Sequence, residues 1–196
     1  MRVMQILSDA TNVIAEGEVA QLSAQRQLST TEEKYLQIIT AKTAVLFAAA
    51  CRISAVVAER PEVDELALDT YGRNLGIAFQ LVDDAIDYVS DSATMGKGVG
   101  DDFRDGKVTL PIILALARGD EQDRAFWQDA MLGHRVSDDD LAHAKTLLTK
   151  YDAIAGTLER ARHYGQRAID SINPFANGAA KDAMVEAVEF AIARAY

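Results

Sequence analysis

Asp83, Asp84 and Asp87 fall within five positions of one another in LGIAFQLVDDAIDYVSD, residues 75–91. The rest of that stretch reads as a buried helix. Leu75, Phe79, Val82, Ile86 and Val89 recur at spacings of 3 and 4, the period of one helical face. Gln80, Asp83, Asp84, Asp87 and Asp91 keep the same spacing beside it, a polar stripe about 100° round the helix. Carboxylates one turn apart repel one another. Bounded by apolar residues, they push at least one pKa up unless a cation neutralises them. Mg²⁺ is the simplest such cation, because it takes hard carboxylate oxygens and shares its shell with water and substrate phosphates. A solvated acidic face is the plain alternative.

The neighbouring stretches favour the cation. Pro61 sits near the first position of the helix that carries the stripe, and that helix extends to about Ser90, with a possible bend at Gly72 or Gly76. The aspartates then lie toward its C-terminal end, where the helix dipole disfavours anions. Directly after it comes SATMGKGVGDDFRDGKVT, residues 92–109, the one glycine-rich loop of the chain. Lys97, Lys107 and the backbone amides around its glycines can converge on phosphate oxygens. The order of residues is not that of a P-loop. Metal ligands and phosphate donors therefore meet at one end of one helix.

A second polar interruption lies upstream. LSTTEEKYLQII opens a helix, with Thr30 and Glu33 spaced as a capping box, and the helix continues to about Ala58. Lys42 and Thr43 break its apolar middle, AKTAVLFAAA. Snorkelling of Lys42 to the surface is the ordinary reading; a site residue is the other.

The remaining elements are helical scaffold. Residues 2–23 form a long helix that the chain enters with no capping residue, and Gly17 within it marks a close packing point. Thr109 and Pro111 start a helix that Gly119 ends. Helices follow at about 120–132, 137–150 (Ser137 at its start), 151–172 and 178–195. Trp127 reads as core, and His134, His143 and His163 as surface or helix-end residues without ligand spacing. No strand alternation occurs, so the fold class is all-α.

Composition narrows the function. The net charge of −10 argues against nucleic acid or an anionic membrane as the main partner. Cys51 is the single cysteine, a small core residue in keeping with a reducing, cytoplasmic setting. No signal peptide is visible, and no charge-free apolar run reaches about 18 residues, which speaks against membrane insertion. The length suits a single domain, residues 1–196.

These residues also match a family. GEVAQL at 17–22, AKTAVLFAAAC at 41–51, YGRNLGIAFQLVDDAIDY at 71–88 and MGKGVGDDFRDGKVTLPII at 95–113 resemble the trans-isoprenyl (polyprenyl) diphosphate synthases. The likeness is strongest to the bacterial long-chain type (octaprenyl, decaprenyl or solanesyl) that makes quinone side chains. The resemblance implies an isoprenoid-synthase-type helical bundle in which two aspartate-rich motifs face each other and bind Mg²⁺ around an allylic diphosphate. It assigns Asp83, Asp84 and Asp87 to the second motif. It places Lys42, Thr43 and Gln80 against the diphosphate and the developing allylic cation, and Lys97 and Lys107 on the diphosphate. The implied chemistry is ionisation of the allylic C–O bond, attack by the double bond of isopentenyl diphosphate, and loss of a proton to the released pyrophosphate. The implied full-length enzyme is a homodimer. No nucleophilic side chain is needed, and no Ser/His/Asp or Cys/His arrangement is present.

The first motif of that family, DDxxD followed by two arginines, does not occur here; DDFRD at 101–105 has the letters without the arginine pair. With the uncapped start, this leads to the expectation of a C-terminal portion of a longer synthase carrying half the metal clamp. Two other classes fit less well: a non-catalytic helical subunit that dimerises with and regulates a full-length synthase, and a Mg²⁺-dependent all-α terpene cyclase or pyrophosphohydrolase.

Overall fold

The computed structural model describes residues 1–89, 100–132 and 136–194. Lys97, Gly96, Gly98, Asp91 and His134 lie outside them. The described residues form helices and short connections, with no strand among them.

The order is α1 (Arg2–Ala24), α2 (Glu32–Ile39), a π-helical turn (Thr40–Ala44), α3 (Val45–Val57) and α4 (Glu62–Val89). After these come α5 (Asp101–Arg104), α6 (Leu110–Arg118), α7 (Glu121–Leu132), α8 (Asp138–Lys150), α9 (Ala153–Ser171) and α10 (Ala179–Ala193). The long α4 is the axis of the bundle. It packs along α3 on one side and α9 on another, with α10, α6 and the π turn completing its surroundings.

The α3–α4 contact is close because both helices present small residues. A Cβ on Gly72 would stand 2.4 Å from the carbonyl oxygen of Phe47, and one on Gly76 2.6 Å from the Cα of Ala44. These glycines mark helix contact rather than the bend considered from sequence, and α4 runs unbroken through them. Burial also reaches further round α4 than one apolar stripe. Ile77, Ala78, Leu81, Val82, Ala85 and Tyr88 are all buried, whereas Val89 is exposed. A helix wrapped on most sides leaves its acids little water.

The main core gathers α4, α6, α7, α8 and α9 around Leu81, Phe103, Leu110, Ile112, Trp127 and Leu148. Trp127 is completely buried, with the Phe103 ring edge-on at 5.9 Å. Cys51 is half-buried against a smaller cluster that includes Tyr71 and Ile172. His143 and His163 are exposed.

Several local expectations need correction. The cap of α2 is Thr31, whose hydroxyl accepts the Lys34 N–H at 3.1 Å, while Thr30 turns its hydroxyl onto the Gln27 carbonyl. The capping box forms instead at Ser137, reciprocally with Asp140. Thr109 stands at the N-cap of α6 without a side-chain capping bond. DDFR, which reads as loop, makes the single helical turn α5 between Gly100 and Gly106, both at positive φ. The helix from Glu32 to Val57 is long and apolar enough, by length and composition, to cross a membrane, despite the charge of Lys42 that counted against a span. In the bundle its π turn and α3 pack on α1 and α4. Leu46 and Val57 stay exposed, as do Met4, Val19 and Leu22 of α1.

Candidate functional site

The π turn is the feature that periodicity alone does not predict. Thr40–Ala44 close i→i+5 bonds inside an otherwise α-helical segment, a wide turn often found at functional sites. It carries Lys42 and Thr43. The Lys42 amine does not snorkel free: it donates to Gln21 Oε1 at 2.5 Å and lies 3.3 Å from Glu18 Oε1, both on α1. The Thr43 hydroxyl donates across to Gln80 Oε1 of α4 at 3.0 Å.

From Gln80 the contacts continue down α4. Its Nε2 donates to Asp84 Oδ1 at 2.7 Å, and Tyr35 of α2 donates its hydroxyl to Asp84 Oδ2 at 2.5 Å. Tyr35 and Asp84 are 4% and 3% exposed. Burial raises the Asp84 pKa to about 7, helped by the charges of Asp102 and Asp83 and opposed by the hydrogen bonds from Tyr35 and Gln80. The Tyr35 hydroxyl is likewise held well above its ordinary range, by burial first and then by Asp84.

The other two aspartates differ in setting. Asp83 is partly exposed and has the Arg194 guanidinium at 3.5 Å, itself stacked on the Phe79 ring. Asp87 lies one turn further on. Its Oδ2 accepts the backbone N–H of Asp102 at 3.1 Å, while its main-chain carbonyl accepts from Gly100. Burial raises its pKa to about 6, with the Asp102 charge adding to the effect.

Lys107 comes from the far side. Its amine reaches Asp102 Oδ1 at 2.8 Å and Asp105 Oδ2 at 3.1 Å. Burial works against its charge, and these two carboxylates outweigh it, so the pKa stays above the usual lysine range.

Lys42, Thr43, Gln80, Asp83, Asp84 and Lys107 thus border one cavity of about 260 Å³. Asp87 is not among its lining residues, and Lys97 is among the residues not described. Tyr35, Asp102 and Gln25 also stand in the wall and carry no signal in the acidic stripe. Tyr35 precedes Lys42 by seven residues, a spacing that does not set it apart from an ordinary core tyrosine on that helix. Asp102 is the second aspartate of DDFRD and precedes Lys107 by five.

Among the described residues, no three acidic, imidazole or thiol groups converge into a ready metal cage. Oxygen donors with raised pKa beside a lysine suit another mode, a Mg²⁺ that keeps water and phosphate oxygens in its shell and takes only one or two carboxylates.

The chain is similar over its whole length to known proteins. It is 37% identical to the octaprenyl diphosphate synthase of Haemophilus influenzae, covering 100% of this chain and 59% of that protein. It is 35% identical to an all-trans-nonaprenyl-diphosphate synthase of Rhodobacter capsulatus, covering 99% and 59%. Among solved structures, a polyprenyl synthase from Caulobacter crescentus complexed with calcium and isoprenyl diphosphate superposes with TM-score 0.96 at 41% identity, covering 100% of this chain and 60% of that one. A decaprenyl diphosphate synthase from Rhodobacter capsulatus gives 0.93 at 41% identity, again over 100% and 60%. The all-α bundle is therefore the isoprenoid-synthase fold. The chain spans about three-fifths of the length of these relatives. A sequence profile described as polyprenyl synthetase matches residues 1–148. The chain belongs to the polyprenyl synthetase family.

Proposed function

We propose that residues 1–196 act as one domain supplying the second diphosphate-binding face of a trans-prenyltransferase. The reaction joins isopentenyl diphosphate to an allylic diphosphate and builds a long polyprenyl diphosphate, a quinone side-chain precursor. The observation that carries this reading is the meeting of Lys42, Thr43, Gln80, Asp84 and Lys107 at one cavity.

Asp83, Asp84 and Asp87 are the residues that would hold Mg²⁺, one or two of them to an ion, with water and phosphate oxygens completing its shell. When bound, that ion supplies positive charge against the leaving diphosphate. The chain's own groups divide the remaining work. Lys42 and Lys107, with Lys97 of the glycine-rich sequence, bind diphosphate oxygens and stabilise the charge that grows on them as the allylic C–O bond breaks. Lys107 is already fixed by Asp102 and Asp105, so its ammonium is aimed before substrate arrives. The Gln80 carbonyl oxygen and the Thr43 hydroxyl present lone pairs to the allylic carbon as it becomes positive. Attack by the double bond of isopentenyl diphosphate forms the new C–C bond, and the proton lost passes to released pyrophosphate.

A second reading, assembly with a partner, has its own support. Met4, Val19 and Leu22 on α1 and Leu46 and Val57 on α3 are exposed apolar side chains. A homodimer, or a helical subunit bound to a longer synthase, would cover them. The cytoplasm suits either arrangement.

The site reading is tested by thermal unfolding with and without Mg²⁺ and pyrophosphate. The ligands together should raise the midpoint, and Asp83→Ala combined with Asp84→Asn should abolish the rise. An equal rise in the double variant removes the assignment.

A further inference from the structure

Tyr35 belongs to no acidic or basic motif, yet its hydroxyl is the other anchor of Asp84. The two residues come from different helices, α2 and α4, and both are buried. The contacts form an ordered chain. Tyr35 donates to Asp84 Oδ2 at 2.5 Å, Gln80 Nε2 donates to Asp84 Oδ1 at 2.7 Å, and Thr43 donates to Gln80 Oε1 at 3.0 Å.

Direction matters in this chain. With Oδ2 taken by the Tyr35 hydroxyl, the Oδ1 of an ionised Asp84, the form present above a pH of about 7, offers only an acceptor, so the end of Gln80 that meets it has to be the NH₂ group. The amide oxygen is then turned to Thr43. An amide facing the other way would set two oxygens against each other at the carboxylate; the Thr43 hydroxyl, which donates or accepts, would follow either orientation, so Asp84 is what decides. Asp84 can impose this only while its own plane is held, because a carboxylate with one free oxygen rotates about its Cβ–Cγ bond. Tyr35 occupies that second oxygen. Phenylalanine would fill nearly the same space and leave Oδ2 a buried acceptor without its partner.

We infer that Tyr35 is a positioning residue: through Asp84 it fixes the Gln80 amide with its oxygen toward Thr43 and the cavity. The inference rests on the reading of Gln80 and Thr43 as the groups that face the reacting carbon. The tyrosine itself touches neither substrate nor metal in this role. It acts by determining which atom of Gln80 the substrate meets.

The test is NMR on the ligand-free chain, read at the side-chain NH₂ of Gln80, whose resonances are assigned by their loss in Gln80→Glu. In Tyr35→Phe the Gln80 NH₂ pair should shift and exchange with water about tenfold faster, the weight of one hydrogen bond to a charged group, while the backbone amides of α4 keep their positions. A change in packing alone would move the backbone signals and not single out this amide. An unmoved Gln80 NH₂ in folded Tyr35→Phe overturns the inference. Should that variant fail to fold, the wild type decides. A Tyr35 hydroxyl proton protected from exchange and cross-relaxing with the Gln80 NH₂ supports the relay, and a freely exchanging hydroxyl overturns it. Calorimetry with Mg²⁺ and pyrophosphate is run in parallel. Absence of binding to the wild type counts against the diphosphate reading and leaves the NMR result to judge the relay.

Discussion

Gly17 of α1 and Lys42 of the π turn meet backbone to backbone: a Cβ on Gly17 would stand 2.6 Å from the Lys42 amide nitrogen and 2.9 Å from the carbonyl carbon of Ala41. The contact seats Glu18 and Gln21, one residue and one turn further along α1, against the Lys42 amine. Gly17→Ala should therefore cost about 1–3 kcal/mol by overpacking, and should weaken Mg²⁺-pyrophosphate binding as α1 moves off the turn. Urea denaturation and calorimetry measure the two effects. A variant as stable as the wild type would show that the helices part without cost.

The acidic stripe gives the metal-free chain a pH dependence of definite sign. Asp84 and Asp87 titrate at about 7 and about 6 in the fold, against an ordinary value of 3.8. Between those limits the folded state holds protons that the unfolded state has released, so stability falls as pH rises. The contribution is complete below the ordinary value and gone above the folded one. Denaturation midpoints from pH 4.5 to 8 should show this decline, and Asp84→Asn should flatten it. Binding of Mg²⁺ with pyrophosphate should strengthen over the same range, because the ion competes with those protons. A slope identical in wild type and variant would show that Asp84 is not the group responsible.

Lys42→Gln separates binding from folding. The amine is partly exposed and its partner Gln21 lines the cavity, so removing it should change stability by less than about 1 kcal/mol. Pyrophosphate affinity in the presence of Mg²⁺ should fall about tenfold, the scale of a charge-assisted hydrogen bond. Calorimetry at fixed ionic strength reads the difference, and an unchanged affinity would remove Lys42 from the diphosphate site.

Arg160 and Glu32 provide the converse case. The guanidinium of α9 grips the first residue of α2 with two bonds, at 2.5 and 2.9 Å, away from the cavity. Arg160→Ala should lower stability by about 1 kcal/mol, since the pair is half-exposed, and leave Mg²⁺-pyrophosphate binding as it was. A loss of binding at unchanged stability would mean that α2 transmits its position to the site.

Reading the chain by residue type located most of this cavity. Lys42, Thr43, Gln80, Asp83 and Asp84 were legible because charged or polar residues inside apolar helical stretches are costly and need a reason. Lys107 was legible as a cation in a glycine-rich loop. Tyr35 was not, because a tyrosine on an apolar helical face is indistinguishable from core until its hydroxyl partner is known. Asp102 was hidden by the opposite problem: in DDFRD three aspartates compete, and only the buried ring of Phe103 decides which of them turns inward. The helix boundaries at Glu62, Leu110 and Glu121 follow Pro and cap signals closely, whereas the cap at Thr31 turned on which of two adjacent threonines takes the extended conformation. The Asp83–Arg194 pair joins residues more than a hundred positions apart, beyond the reach of any local pattern.

The π turn has a consequence for angular phase. In a regular helix, at about 100° per residue, Ala44 would point to the side opposite Tyr35. Both nevertheless meet α4, Tyr35 at Asp84 and Ala44 at Gly76. The wide turn takes in about one extra residue, so everything after it lags by about 100°. Two stretches that would face apart are brought round to the same neighbour, one polar and one small enough for backbone contact. The turn works as a phase shifter, and removing a single residue from it would rotate Ala44 and Ala48 off α4 while leaving Tyr35 where it is.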